Sequence, residues 1–144
     1  MDKRTQAWTT PSPRFAEAAL RERFARLLVQ AGLCLSKCGV DEVHDLRVSI
    51  RRFSQALRIF APLLAERPVR KMRKALHPVM QQAARVRDLD VGLEHLLREG
   101  LAEHDSVVEE MQAERRNAEL ALRGRLLLLQ SGEPERYWPA SLRV

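Results

Sequence analysis

Acidic residues almost vanish from one long stretch of this chain. Between Leu46 and Arg87 a single acid, Glu66, stands among eleven Arg or Lys. That segment is +10 while the whole chain is +6, so the remainder is net −4. A surface of one sign repels itself and calls for solvent or a polyanion as partner. Aromatics are scarce as well, seven in 144 residues, so aliphatic side chains must fill any core. No run of 18 apolar residues occurs, and no transmembrane helix is expected. The segment from Met1 to Pro13 has no apolar signal core, which argues against secretion and for a cytoplasmic protein. Gly and Pro are few and sit mostly near the termini or apparent boundaries. Cysteine is limited to Cys34 and Cys38, on one helix face at a spacing of four. A metal site would need more ligands, and the next His, His44, lies past a turn, so buried or idle thiols are the first reading. A redox or metal role is the alternative.

What is abundant is Ala, Leu, Glu and Arg, a composition that favours helix. Residues 1–12 read as a flexible lead, and residues 13–144 as one helical domain. Ser12-Pro13 is a helix start, with Ser as cap and Pro in the first helical position. Leu20, Phe24, Leu27 or Leu28, Ala31 and Leu35 carry a first helix to about Lys37, and Gly39 is a plausible stop. The second helix starts at about Asp41. Its apolar positions Val43, Leu46, Ile50, Phe53, Leu57, Phe60 and Leu64 alternate in threes and fours, the pattern of a bundle seam. Its acids, Asp41, Glu42 and Asp45, lie in the first turns, where the helix dipole favours them.

A third helix carries Val69, Met72, Leu76, Val79, Ala83 and Val86, then Leu89, Leu93, Leu96 and Leu97. The shift in rhythm predicts a kink or break near residues 77 to 88, with Pro78 as one cause, and Gly100 as the end. A last helix is predicted from Ser106 to Gln130 on Val107, Met111, Ala118, Leu122, Leu126 and Leu129, stopped by Ser131-Gly132-Glu133-Pro134. No strand pattern appears. The expectation is an all-α fold, an antiparallel four-helix bundle with long helices.

At about 100° per residue, His44, Arg47, Arg51 and Arg58 project together about 130° from the centre of the second helix's apolar seam. They form one ridge beside the core, and Arg52 lies farther round. A solvated helix face would mix signs at spacing four. Here no acid follows Asp45 on the helix, which favours an anion-binding face. Arg70, Lys74 and His77 offer a second ridge on the third helix, surrounded by Arg67, Lys71 and Arg73. If the two helices are antiparallel neighbours, both ridges can border one cleft, where Arg grips phosphate bidentately and Lys adds mobile charge. His77, His95 and His104 read as ordinary surface or packing residues. Arg87, Asp88 and Asp90 read as structural: either carboxylate can cap a following helix and hold an arginine. No ligand cluster surrounds them, so no metal is assigned.

The string His44, Arg47, Arg51 and Arg52, followed about forty residues later by Arg87-Asp88-x-Asp90-Val91, resembles the signature of the CHAD family, the conserved histidine α-helical domain. The intervening Arg70, Lys71, Arg73 and Lys74 fit as well, as does the Arg136-Tyr137 step as a helix start. The resemblance spans roughly residues 14 to 138. It implies an all-helical fold that binds inorganic polyphosphate through His, Arg and Lys, with no catalytic residue and no cofactor. It also implies association with polyphosphate granules, as family members often show. The usual domain has two similar halves, each with a histidine signature. This chain carries one signature and about half that length, so a homodimer is expected to complete the cleft.

The competing readings come from other classes. The same arginines would attract DNA or RNA. However, no helix-turn-helix is evident, and Phe53 and Phe60 sit in the seam, which makes nucleic acid a weaker competitor. A phosphohydrolase would need clustered metal ligands or a nucleophile–base pair, and neither is seen. A scaffold docking an acidic protein is the remaining alternative.

Overall fold

The computed structural model describes residues 12–131, and the N-terminal lead and the tail from Gly132 onward, with its Arg136-Tyr137 step, lie outside them. Among the described residues there are four α-helices and no strand. They are α1 (Pro13–Ser36), α2 (Val40–Ile59), α3 (Glu66–Arg98) and α4 (Ser106–Ser131), with a short 3-10 turn at Ala61–Leu63 between α2 and α3. Successive helices pack on one another, and α1 meets α4 more lightly, which closes the four-helix bundle. Short links make each neighbouring pair antiparallel.

Local chemistry accounts for the helix ends. Ser12 accepts a hydrogen bond from the Phe15 N–H at 3.2 Å, and Pro13 occupies the first helical position. Gly39 does not stop α1 as the sequence suggested. α1 ends at Ser36, and Gly39 sits in extended backbone as the N-cap of α2. Pro68 lies in the first turn of α3, where a missing N–H costs nothing. At the other end of α3, Gly100 adopts φ +93°, its N–H donates to Leu97 O and the Leu101 N–H to Leu96 O. That is the paired-carbonyl closure that favours glycine. Asp105 accepts from the Val107 N–H at 2.9 Å and starts α4.

Of the kink or break expected near residues 77 to 88, the break is absent: α3 runs unbroken through Pro78 for 33 residues. The change of apolar rhythm there has another origin. Asp90 takes the core position that Met72, Leu76, Val79, Ala83 and Val86 lead up to. Leu89, Leu93 and Leu96 flank it half-buried. Beside them Gly92 admits α4 closely, since a Cβ there would stand 2.6 Å from Met111 Cε. Helix α4 also begins its buried face one residue later than expected, on Val108, and leaves Val107 exposed.

The core is aliphatic with one aromatic pair, Phe24 and Phe53, whose ring centroids are 5.3 Å apart. All of Val43, Leu46, Ile50, Phe53, Leu57 and Phe60 are buried, so the α2 seam faces inward over its whole length. One ionic group crosses this apolar frame. Arg115 on α4 donates from Nε to Asp90 at 2.9 Å and from Nη2 to the Cys38 carbonyl at 2.6 Å. Nearby, Arg123 donates to the Leu35 carbonyl at 3.1 Å and to Glu119 at 3.1 Å. Arg123 thus satisfies a carbonyl in the last turn of α1, which the helix itself leaves unpaired, and Arg115 satisfies one in the connector beyond it. Burial pulls the Arg115 pKa down, but the bond to Asp90 together with the charges of Asp90, Glu119 and Cys38 outweighs it and the net shift is up.

Phe53→Ala is expected to cost about 3–5 kcal/mol through the cavity it opens. Arg115→Ala is expected to cost a comparable ~3–5 kcal/mol, because Asp90 is left charged and buried with no partner. Asp88 is exposed, so Asp88→Ala should stay within ~0.5 kcal/mol of the parent. Chemical denaturation of the three variants checks the order. Equal losses for Asp88→Ala and Arg115→Ala would contradict it.

Candidate functional site

The polar face of α2 follows from its seam. With positions 43, 46, 50, 53, 57 and 60 turned inward, the residues between them must flank the core or face solvent. His44, Arg51, Arg52 and Arg58 are exposed. Arg47 is half-buried, and its Nε is inaccessible with no hydrogen-bond partner. A buried N–H without an acceptor is a costly arrangement, and it belongs to the residue of the ridge nearest the core.

The two flanks of α2 differ. Arg52 and Ser49 line a groove of about 540 Å³ with Phe15, Ala18, Ala19, Glu22, Arg23 and Arg26 of α1. Arg47, Arg51 and Arg58 lie on the opposite flank, the one turned toward α3. So Arg52 stands apart from the other three. From His44 to Arg58 the ridge is about 21 Å long at 1.5 Å per residue.

Because α3 runs antiparallel to α2, its start lies beside the end of α2. Arg70, Lys71, Arg73 and Lys74, all exposed, are therefore near the Arg58 end of the ridge. Arg87 and Asp90 are near the His44 end. Arg70 is held by Glu66 at 2.9 Å, the single acid of the basic segment. Arg87 is half-buried and Asp88 exposed. No helix begins at either Asp88 or Asp90, so neither acts as a cap. Asp90 is 8% exposed and its arginine partner is Arg115, a residue the sequence reading did not single out. Its second oxygen, Oδ2, is buried and has no partner.

The charge pattern separates α2 from the rest. On each of the other helices some arginines pair with an acid four residues earlier: Arg21 with Glu17, Arg26 with Glu22, Arg70 with Glu66, Arg98 with Glu94 and Arg123 with Glu119. Among the described residues, no ion pair joins Arg47, Arg51, Arg52 or Arg58 to any acid. Four uncompensated guanidinium groups on one 20-residue helix give a concentrated positive field. Chemically this surface can hold several phosphate or sulfate groups at once. Among the described residues, no set of three or more His, Cys, Asp or Glu side chains could hold a metal ion. No helix there is long and apolar enough to cross a membrane.

Neither a curated protein nor a solved structure matches the chain. A family model described as "CHAD domain" matches residues 18–137, most of the 144. The unpaired His/Arg helix and the Asp90 segment lie inside that match, and the chain belongs to the CHAD domain family, which is associated with polyphosphate binding.

Proposed function

We propose that this protein binds inorganic polyphosphate without catalysing a reaction on it. The binding surface is the α2 ridge of His44, Arg47, Arg51 and Arg58, extended by Arg70, Lys71, Arg73 and Lys74 at the start of α3, with Arg52 contributing from the α1 side. The observation that carries this reading is that, among the described residues, all four α2 arginines lack an acidic partner, whereas each of the other helices pairs at least one arginine with a Glu four residues earlier. Like charges at close helical spacing cost stability, and a multivalent anion offsets that cost. Phosphate and sulfate are expected to bind the same groups singly and weakly. The protein acts in the cytoplasm, in association with polyphosphate granules.

Nucleic acid is attracted by the same field but is the poorer ligand. Phe53 and Phe60 are 0% and 7% exposed, so neither offers a face on which a base could stack. The expected outcome of a competition at one physiological salt concentration is preference for long-chain polyphosphate over duplex DNA and RNA, with affinity falling steeply as salt rises. Equal or tighter binding to DNA would overturn the proposal in favour of nucleic acid, and binding of neither would favour an acidic protein partner.

The ridge residues should separate binding from folding. Arg51→Ala and Arg58→Ala are expected to weaken polyphosphate binding several-fold and to leave stability within ~0.5 kcal/mol. Arg47→Met should weaken binding similarly, yet hold or raise stability by about 1 kcal/mol, because it removes a buried donor that has no acceptor. Titrations paired with thermal melts read both quantities. A large loss of stability in Arg51→Ala with unchanged binding would reverse the assignment.

The proposed binding unit is a homodimer, in which two copies bring two histidine-bearing ridges to one basic site. Bound polyphosphate, phosphate or sulfate should tighten the dimer, because an anion between two positive subunits screens both. Light scattering with and without polyphosphate measures this. A mass near 16.5 kDa in both conditions at high protein concentration would rule the dimer out.

A further inference from the structure

The two cysteines lie away from the basic ridge, and their geometry is more specific than their spacing. Cys34 sits in the last turn of α1, and Cys38 lies beyond the helix, in the three-residue connector to α2. Their sulfurs are 3.5 Å apart, both free and both buried, at 0% and 4% exposure. Two cysteines four apart inside one rigid helix would each be tied to regular backbone. Here the second has left the helix, so its side chain is not tied to helical geometry and can turn toward the first.

We propose that Cys34 and Cys38 form a reversible intramolecular dithiol–disulfide pair that is oxidised by a small peroxide. Closure requires the sulfurs to move about 1.5 Å nearer, to the ~2.05 Å of a disulfide. The connector is already held at the right place, since the Arg115 guanidinium grips the Cys38 carbonyl at 2.6 Å and Arg123 grips Leu35 one turn back. The two thiols are not equivalent. Hydrogen bonding from Cys34, helped by the charges of Arg115 and Arg123, lowers the Cys38 pKa against the opposing effects of burial and Glu119. The same hydrogen bond, together with burial, raises that of Cys34. Cys38 is therefore the thiolate that attacks, and the slightly more accessible of the two.

The steps balance. The Cys38 thiolate attacks one peroxide oxygen, the O–O bond breaks, and the leaving hydroxide takes a proton to become water. Cys38 is now a sulfenic acid. The Cys34 sulfur then attacks the Cys38 sulfur, its own proton leaves with the departing hydroxide, and a second water forms. Two thiols lose two electrons, and one peroxide gains them. A thiol reductant reverses the change by exchange.

The test uses the full reduced chain and hydrogen peroxide. After treatment, remaining thiols are alkylated under denaturing conditions and the mass is read. The expected product has lost two hydrogen atoms, carries no alkylated cysteine, stays monomeric on a non-reducing gel and keeps its helical circular dichroism. Trypsin cleaves after Arg26, Lys37 and Arg47, so the bond should join the peptide 27–37 to the peptide 38–47. In Cys34→Ser the linked pair should vanish and Cys38 should be trapped as sulfenic acid by dimedone. Three outcomes in the parent protein would overturn the proposal: both thiols still alkylated, Cys38 driven to sulfinic acid without linking, or a bond between two molecules.

Discussion

Arg115 is the contact on which the arrangement of this bundle turns. Its guanidinium reaches three segments at once: Asp90 on α3, the Cys38 carbonyl in the α1–α2 connector and, at 3.5 Å, Glu119 on its own helix. An apolar seam can slide by a heptad at modest cost, because leucines are interchangeable neighbours. A buried carboxylate that meets one guanidinium cannot, since the shifted register leaves a charge without a partner. In this chain the ion pair specifies register where the aliphatic core, with few aromatic shapes, specifies it weakly. The same contact anchors the connector between α1 and α2 at the Cys38 carbonyl. It therefore sets the height at which His44 and Arg47 stand relative to α3.

Charge is distributed here by helix. Helices α1, α3 and α4 each place a Glu four residues before some of their arginines, which neutralises those arginines locally. Each such pair is worth only a few tenths of a kcal/mol. Their sum matters less than their omission from α2, where the acids are confined to the first turns and four arginines follow without one. Arg47 goes further, because its Nε is withdrawn from water and given no acceptor. These features lower the stability of the free protein, and under the proposed function a bound anion offsets that cost. That combination is ordinary at sites selected for binding over stability.

How much of this was legible in the sequence depended on the range of the interaction. Periodicity is local, so the α2 seam, the Ser12 cap, the Gly100 closure and the span of α4 could all be read before the structure. The ridge on α2 was legible for the same reason, since a helical wheel needs only one helix. Where the reading failed, a distant partner decided the outcome. Asp90 was read beside Arg87, its neighbour in sequence, whereas its partner Arg115 is 25 residues away. The change of rhythm in α3 was read as a kink or break near residues 77 to 88, whereas the helix runs unbroken and a buried carboxylate facing another helix takes the core position there. Cys38 was placed on a helix face, although its position is set by a carbonyl–guanidinium bond spanning 77 residues.

A straight helix with arginines at fixed intervals presents charge spacing rather than a shaped pocket. Arg51 and Arg58 are two turns apart on one line, about 10.5 Å at 1.5 Å per residue. Arg47 stands about one turn before Arg51. Such a line does not by itself form a concave wall to recognise a base or a sugar, and the groove described above lies on the α1 flank with Arg52. Discrimination on the α3 flank must therefore come from the density of negative charge along the ligand. A flexible polyanion with a charge on every repeat can bring successive groups to successive arginines at little conformational cost. Duplex DNA is stiff, and its phosphates lie on a curved path that leaves a straight ridge after a few contacts. The proposed preference for polyphosphate thus follows from the regular line of α2 and the one-signed charge that follows Asp45 on it, apart from any particular residue.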